Sequence, residues 1–387
     1  FAVIFVGALL AATTGVVAAS VISMGLISLP IMLRYGYDKK LACGVIAASG
    51  TLAQIIPPSL VLIIMADQLG KSVGDMYEGA IFPAMVLSGL YVGYVILLTI
   101  IKPSAAPALP PEARTLRGFK LMLRVVTTMV PPLLLIFLVL GTIFMGIATP
   151  TEGGAMGAAG ALLLAISRKR LNIKLLKQAM ETTGKLSSFV IFILVGSTVF
   201  GLIFRAVNGD LWVEHLLLSL PGGQVGFLIV VNVMVFLLAF FLDFFELSFI
   251  IVPLLAPVAD KLGIDLVWFG ILLAVNMQTS FMHPPFGFAL FYLRSVAPSS
   301  IKTTDIYWGA IPFVCIQIIM VALIIIFPNI VSYGDEAQKE MQRMEQEGTA
   351  PEAIDLDTLM RQNEGEAAGS DGKSPADLLK ELQSGSN

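Results

Sequence analysis

The stretch SGTLAQIIPPSLVLII, Ser49 to Ile64, sets two consecutive prolines inside what otherwise reads as a membrane-spanning helix. Proline has no N–H to donate, so Pro57 and Pro58 each delete a helical hydrogen bond and free carbonyls in the preceding turn, near Ala53 to Ile56. In hydrocarbon an unpaired backbone group is costly, so such a break is tolerated only where protein buries it or where it lines a wet cavity. A second stretch, NMQTSFMHPPFGFALF from Asn276 to Phe291, has the same form and frees carbonyls near Ser280 to His283.

The surrounding chain is apolar enough for a bilayer. Of 387 residues 57% are hydrophobic and 13% charged, more apolar surface than a soluble core of this length can hide. Apolar spans fall at about 1–33, 41–66, 79–101, 125–147, 153–167, 186–204, 225–258, 267–293 and 306–331, each long enough to cross or fold within a layer roughly 30 Å thick. Strand-type alternation is lacking, so the expected class is an all-α integral membrane protein rather than a barrel. Phe1 lies in an apolar run without an initiator Met, so part of the natural N-terminus is expected to be missing. Cys43 and Cys315 sit in apolar spans without metal-ligand spacing and read as small core residues. The residues from 334 to 387 are polar and acidic and read as a disordered tail.

Shifting the chain against itself by 227 positions superimposes Pro30 on Pro257, Gly36 on Gly263, Asp38 on Asp265, Ala47 on Ala274, Pro57 on Pro284 and Pro58 on Pro285. One small insertion later, YEGAIFP (77–83) matches YWGAIP (307–312). The matches fall mainly on residues that punctuate helices, which predicts two copies of one unit, 1–101 and 225–331, joined by scaffold helices in 102–224. SRKRLNIKLLKQAMETTGK, from Ser167 to Lys185, predicts a separate amphipathic helix on the cytoplasmic interface at about 168–185. The Gly-rich GGAMGAAG, Gly153 to Gly160, predicts close helix packing. His215 lies in a polar connection and is expected to be solvated.

Placing the strongly basic connections inside puts sixteen Lys and Arg there and only Lys71, Arg205 and Lys261 outside. That split requires 1–33 and 225–258 to be hairpins that enter and leave on one face, the first opening to the cytoplasm and the second to the outside. The copies are then inverted, the architecture of secondary transporters that alternate access around a midplane site.

Side-chain oxygens cluster at the breaks: Ser49, Thr51 and Gln54 in one copy, Asn276, Gln278, Thr279 and Ser280 in the other. Together with Glu246 these are candidate substrate contacts. Oxygen-only ligation without a His/Cys cluster suits a hard ion such as Na⁺. At the hairpin midpoints lie AATTGVV (11–17) and FFLDFFEL (240–247). The second places Asp243 and Glu246 at mid-bilayer, where a carboxylate costs at least about 2.5 to 3.5 kcal/mol. Two roles are open for them, ion or substrate coupling and hydrogen bonding of the tip itself.

The ordered motifs MLRYGYDKKLA, SGTLAQIIPPS, GIATPTEGGA, FLDFFEL with VPLLAPVADKLGID, and NMQTSFMHPPFG cover nearly the whole membrane portion. In this order the chain resembles the large membrane subunit of tripartite ATP-independent periplasmic (TRAP) transporters, within the ion transporter superfamily. The resemblance implies a Na⁺-coupled, elevator-type importer in the bacterial inner membrane. Its partners would be a small four-helix membrane subunit (Q-type) and a periplasmic substrate-binding protein (P-type) that usually carries organic acids. It further implies two or more Na⁺ sites where each tip meets each break: Thr14 and Gly15 with Ala53, Ile56 and Pro58, and the region of Asp243 with Ser280 and His283. Two departures stand out. Thr14-Gly15-Val16 replaces the Ser-Gly-Ser of many members, and His283 stands where many have Thr; it could bind an ion through imidazole, leave binding to backbone, or simply pack. The competing classes are an ion channel, a standalone ion-coupled organic anion transporter and, more remotely, an intramembrane hydrolase using Asp243, Glu246 and His283; the implied class is not an enzyme.

Overall fold

Helix α1 (Ala2–Thr14) ends at Gly15, whose φ of 60° lets the chain reverse in two residues and enter α2 (Val17–Arg34). In this computed structural model residues 1–108, 110, 118–284 and 287–332 are described. The tail expected at 334–387, the basic residues Arg114 and Arg117, and Pro285 of the second Pro-Pro pair lie outside them. Helix α3 (Lys39–Thr51) follows, then a 3₁₀ turn at Leu52–Gln54, the first break, α4 (Leu60–Leu69) and the long α5 (Val73–Ile101).

Four helices come next: α6 (Gly118–Phe144), α7 (Pro150–Ser167), α8 (Ile173–Ala206) and the short α9 (Gly209–Leu218). Thr149 opens α7 with a capping box, accepting from Glu152 N while the Glu152 carboxylate accepts from Thr149 N at 2.8 Å. The glycine-rich face of α7 lies against α6: a Cβ at Gly157 would meet Val139 at 2.7 Å, and one at Gly160 would meet Leu135 at 2.6 Å. His215 is exposed, on α9 rather than in an irregular connection.

The order of the first segment then recurs. Helix α10 (Gly223–Leu238) leads to a tip, the single turn α11 (Phe244–Glu246), a π turn at Leu247–Ile251 and α12 (Val252–Lys261). Helix α13 (Leu266–Met277), a 3₁₀ turn at Gln278–Phe281, the second break, α14 (Phe288–Val296) and α15 (Thr303–Ile326) complete the series. Paired positions share local roles. Pro30 and Pro257 lie inside α2 and α12, and Gly36 and Gly263 are left-handed at φ 78° and 69°. Asp38 caps α3 by accepting from Lys40 N and Leu41 N, and Asp265 caps α13 by accepting from Trp268 N.

The two central helices are α3, buried continuously from Leu41 to Thr51, and α13, buried from Phe269 to Met277. Burial on every face requires apolar or small residues all round, and α3 meets it with Ala and Gly. A Cβ on Gly44 would collide with the Gly309 carbonyl oxygen of α15, so these two backbones touch directly.

Two expectations need correction. The interfacial helix expected at about 168–185 is not separate: after the Asn172 cap the chain runs as one 34-residue helix through Ala206. No proline interrupts it, and a change from amphipathic to apolar pattern does not break hydrogen bonds. At 1.5 Å per residue it is about 51 Å long, well beyond a hydrocarbon layer of about 30 Å. Of the cysteines, Cys43 is in the core, but Cys315 lies on an exposed face of α15.

Candidate functional site

The first break is stitched by Ser59. Pro58 cannot donate to the Gln54 carbonyl, and the Ser59 hydroxyl does so instead at 2.5 Å while its oxygen accepts from Val61 N and Leu62 N to cap α4. Gly15 at the first tip rests on this turn: a Cβ there would lie 2.9 Å from the Pro58 carbonyl oxygen. The Thr14 hydroxyl is engaged locally, donating to Leu10 O at 2.8 Å and sharing a 3.0 Å bond with Ser20 Oγ.

At the second tip the acidic pair forms a reciprocal cap. Asp243 Oδ1 accepts from Phe245 N at 2.7 Å and Glu246 N at 3.3 Å, while Glu246 Oε2 accepts from Asp243 N at 2.7 Å. The D-x-x-E spacing is the sequence signature of this capping box and could have identified it. Of the two roles left open above, hydrogen bonding of the tip is therefore present, and it does not preclude a coupling role. At the second break His283 is buried, stacked on Phe240 with centroids 4.2 Å apart and edge-on to Phe236 at 4.4 Å. Neither ring nitrogen has a well-formed hydrogen bond, and the Ser280 hydroxyl, 4% exposed, has none either.

Both tips and both breaks border one cavity of about 430 Å³. The first tip supplies Gly15, the first break Gln54, the second tip Asp243 and Glu246, and the second break Phe281; α8 closes one side with Leu186 and Phe189. Four of the candidate residues thus share a wall: Gly15, Gln54, Asp243 and Glu246. The others do not border it. Ser49 donates back to Val45 O, Thr51 to Ala48 O and Thr279 to Asn276 O, each satisfying its own helix. Asn276 donates to the carbonyl and side-chain oxygens of Asn232 at 2.8 and 2.9 Å, and Gln278 donates to Thr51 O at 2.7 Å. Ile56 borders a separate apolar crevice of about 600 Å³ between α1, α5 and α6.

The oxygen donor set around the tips is of the kind that hard cations take. It comprises carbonyls at the breaks, the Ser280 hydroxyl and the carboxylates, and among the described residues no group of three His, Cys, Asp or Glu converges. Sequence reading missed Ser59, Ser20, Asn232 and the Gln317–Tyr91 bond of 3.0 Å. An amide in an apolar helix, as at Asn232 and Gln317, was the available signal for two of them.

Among the described residues five helices are long and apolar enough to cross a membrane, and interrupted helices meet two hairpin tips around one cavity. That construction defines a multi-pass helical membrane transporter. Residues 1–330 match the family described as tripartite ATP-independent periplasmic transporter, DctM component, and the chain belongs to that family, a transporter permease of the bacterial inner membrane. It is 29% identical to the C4-dicarboxylate TRAP transporter large permease protein DctM of Vibrio cholerae, covering 82% of this chain and 73% of that one. The ectoine TRAP transporter large permease protein TeaC of Halomonas elongata is 28% identical over 83% of this chain and 74% of its own. The Vibrio cholerae sialic acid protein SiaM is 25% identical over 79% and 70%.

Proposed function

We propose that this permease couples inward movement of an organic acid to Na⁺, taking the solute from a periplasmic binding protein and working beside a small four-helix membrane subunit. The observation that carries the reading is the single cavity bordered by both tips and both breaks. Such a site can open to either side when its surrounding body moves, and elevator motion of both hairpins and both broken helices against the remaining helices would do so.

The ion sites follow the oxygens. One lies where Thr14 and Gly15 face Ala53, Ile56 and Pro58; the Gly15 contact with the Pro58 carbonyl supports it. The other lies near Asp243, Ser280 and His283, supported by the buried, unpartnered Ser280 hydroxyl. The proposed partners follow from membership of a tripartite family, and the acid follows from the C4-dicarboxylate and sialic acid relatives.

Uptake into proteoliposomes decides the matter. Transport is expected only with an inward Na⁺ gradient, the small subunit and the binding protein together. Equal uptake with K⁺ replacing Na⁺ rejects the coupling.

A further inference from the structure

The last turn of α8 ends on a charge that no described residue neutralises. From Leu186 to Phe204 the helix carries no charged side chain, a stretch of about 28 Å, so Arg205 falls at the boundary of a hydrocarbon layer about 30 Å thick. Trp212, exposed on the following helix α9, is of the residue type that concentrates at that depth.

Arg205 borders a groove of about 390 Å³ that shares no residue with the cavity between the tips. Along α8 the groove is lined by Leu194, Thr198, Gly201 and Arg205, a spacing that falls on one helix face. The second hairpin supplies Ile250, Leu254 and Pro257. The groove therefore runs about 16 Å along α8, from the boundary at Arg205 into apolar depth at Leu194. Gly201 keeps it open: a Cβ there would meet no side chain closer than Arg205 Nη2, at 3.8 Å.

The charges gather at the boundary end. Glu214 is already paired, accepting from Lys261 Nζ at 2.6 Å. Arg205 donates only from Nε, to Gly201 O of its own helix at 3.3 Å, which leaves both terminal amino groups of the guanidinium without a partner among the described residues. Asp210, half-buried in the same wall, makes no hydrogen bond or ion pair with any of them. One unpaired cation and one unpaired anion thus border a single apolar groove.

That arrangement selects among lipid heads. A guanidinium meets phosphate with two parallel hydrogen bonds, and a primary ammonium can donate to a carboxylate. A phosphoglycerol head would satisfy Arg205 and leave Asp210 unmatched. A choline head has no N–H to give Asp210. We propose that this groove binds a phosphoethanolamine lipid of the bilayer, its phosphate on Arg205, its ammonium on Asp210 and an acyl chain along the Gly201 face of α8.

The test is thermal unfolding of the purified complex of large and small membrane subunits in detergent. The probes are the dihexanoyl phosphoethanolamine, phosphocholine and phosphoglycerol lipids, with O-phosphoethanolamine as the chainless head. The phosphoethanolamine lipid is expected to stabilise at a concentration about tenfold lower than any other probe requires, the worth of one charge-assisted bond. Asp210→Asn is expected to reduce it to the level of the phosphocholine lipid, and Arg205→Gln to weaken all three lipids. If the variants fold poorly, native mass spectrometry of the wild-type complex decides, with preferential retention of the phosphoethanolamine lipid expected. Equal stabilisation by the chainless head assigns the groove to a soluble phosphate compound and overturns the proposal. So does a phosphoethanolamine preference that survives in both variants. No preference among the lipids in either measurement overturns it as well, including the case in which the small subunit fills the groove.

Discussion

Gln278 donates from Nε2 to the carbonyl of Thr51 at 2.7 Å, and the two residues stand 227 positions apart, the shift that superimposes the two halves of the sequence. Equivalent positions of the two segments therefore touch. They do so at the ends of α3 and α13, where each helix tightens into a 3₁₀ turn before its break, and both side chains are fully buried.

Removing that bond leaves the Thr51 carbonyl unmet in a dry interior. Gln278→Leu keeps the side-chain volume and is expected to cost about 1 to 3 kcal/mol of stability, the price of an orphaned buried acceptor. Thermal unfolding of the purified protein measures it. A midpoint equal to wild type shows that the bond does not tie the two breaks together.

Gly15 and Gly36 separate contact from backbone strain. Both are left-handed, at φ 60° and 78°, so alanine at either costs roughly 1 to 2 kcal/mol of conformational energy. A Cβ at Gly15 also meets the Pro58 carbonyl oxygen at 2.9 Å, whereas nothing lies within 4 Å at Gly36. Gly15→Ala is expected to lower Na⁺-driven uptake at least tenfold at normal membrane insertion, with Gly36→Ala retaining at least half. Equal uptake by the two variants removes the tip contact from the mechanism.

The legible parts of the fold were those written in local punctuation. Pro57 and Gly15 act through their own backbone, so their consequences can be read without knowing any neighbour. Pairings such as Asn276 with Asn232, or Gln317 with Tyr91, depend on which helices meet, and an amide in an apolar run tells that a partner exists without naming it. The continuity of α8 was hidden for another reason. Basic residues up to Lys185 suggested a change of environment, and a helix can pass from water into lipid without bending. At the site, Asp243 and Glu246 were recognised by charge, while their spacing also encoded the cap that holds them.

Asp38 gives a dependence on pH at the end of α3 outside the bilayer. Burial raises its pKa, but the Leu41 and Lys40 N–H groups and Lys102, 3.4 Å away, outweigh it, so the carboxyl sits below its usual range. A depressed carboxylate stabilises the fold fully above the unfolded value, about 3.9, and loses that contribution as pH falls through the lower folded value. Asp38→Asn keeps a cap acceptor and removes the charge. The variant is expected to unfold below the wild-type midpoint at pH 7 and to converge with it at acid pH, as measured by thermal unfolding across that range. A gap that stays constant with pH assigns Asp38 a capping role without a charge contribution.

Charge and capping can be separated at the second tip as well. Asp243→Asn retains a side-chain oxygen to accept from Phe245 N and Glu246 N, so the tip is expected to hold its shape. Asp243→Ala removes the acceptor and is expected to cost about 0.5 to 2 kcal/mol more by thermal unfolding. If the carboxylate contributes to an ion site, Asp243→Asn raises the Na⁺ concentration for half-maximal uptake at least fivefold while its unfolding midpoint stays near wild type. Glu246→Gln supplies the matching comparison, because its carbonyl oxygen can still accept from Asp243 N. A normal Na⁺ dependence in both amide variants, with loss only in Asp243→Ala, assigns the pair to shaping the tip and places the ion elsewhere along the breaks.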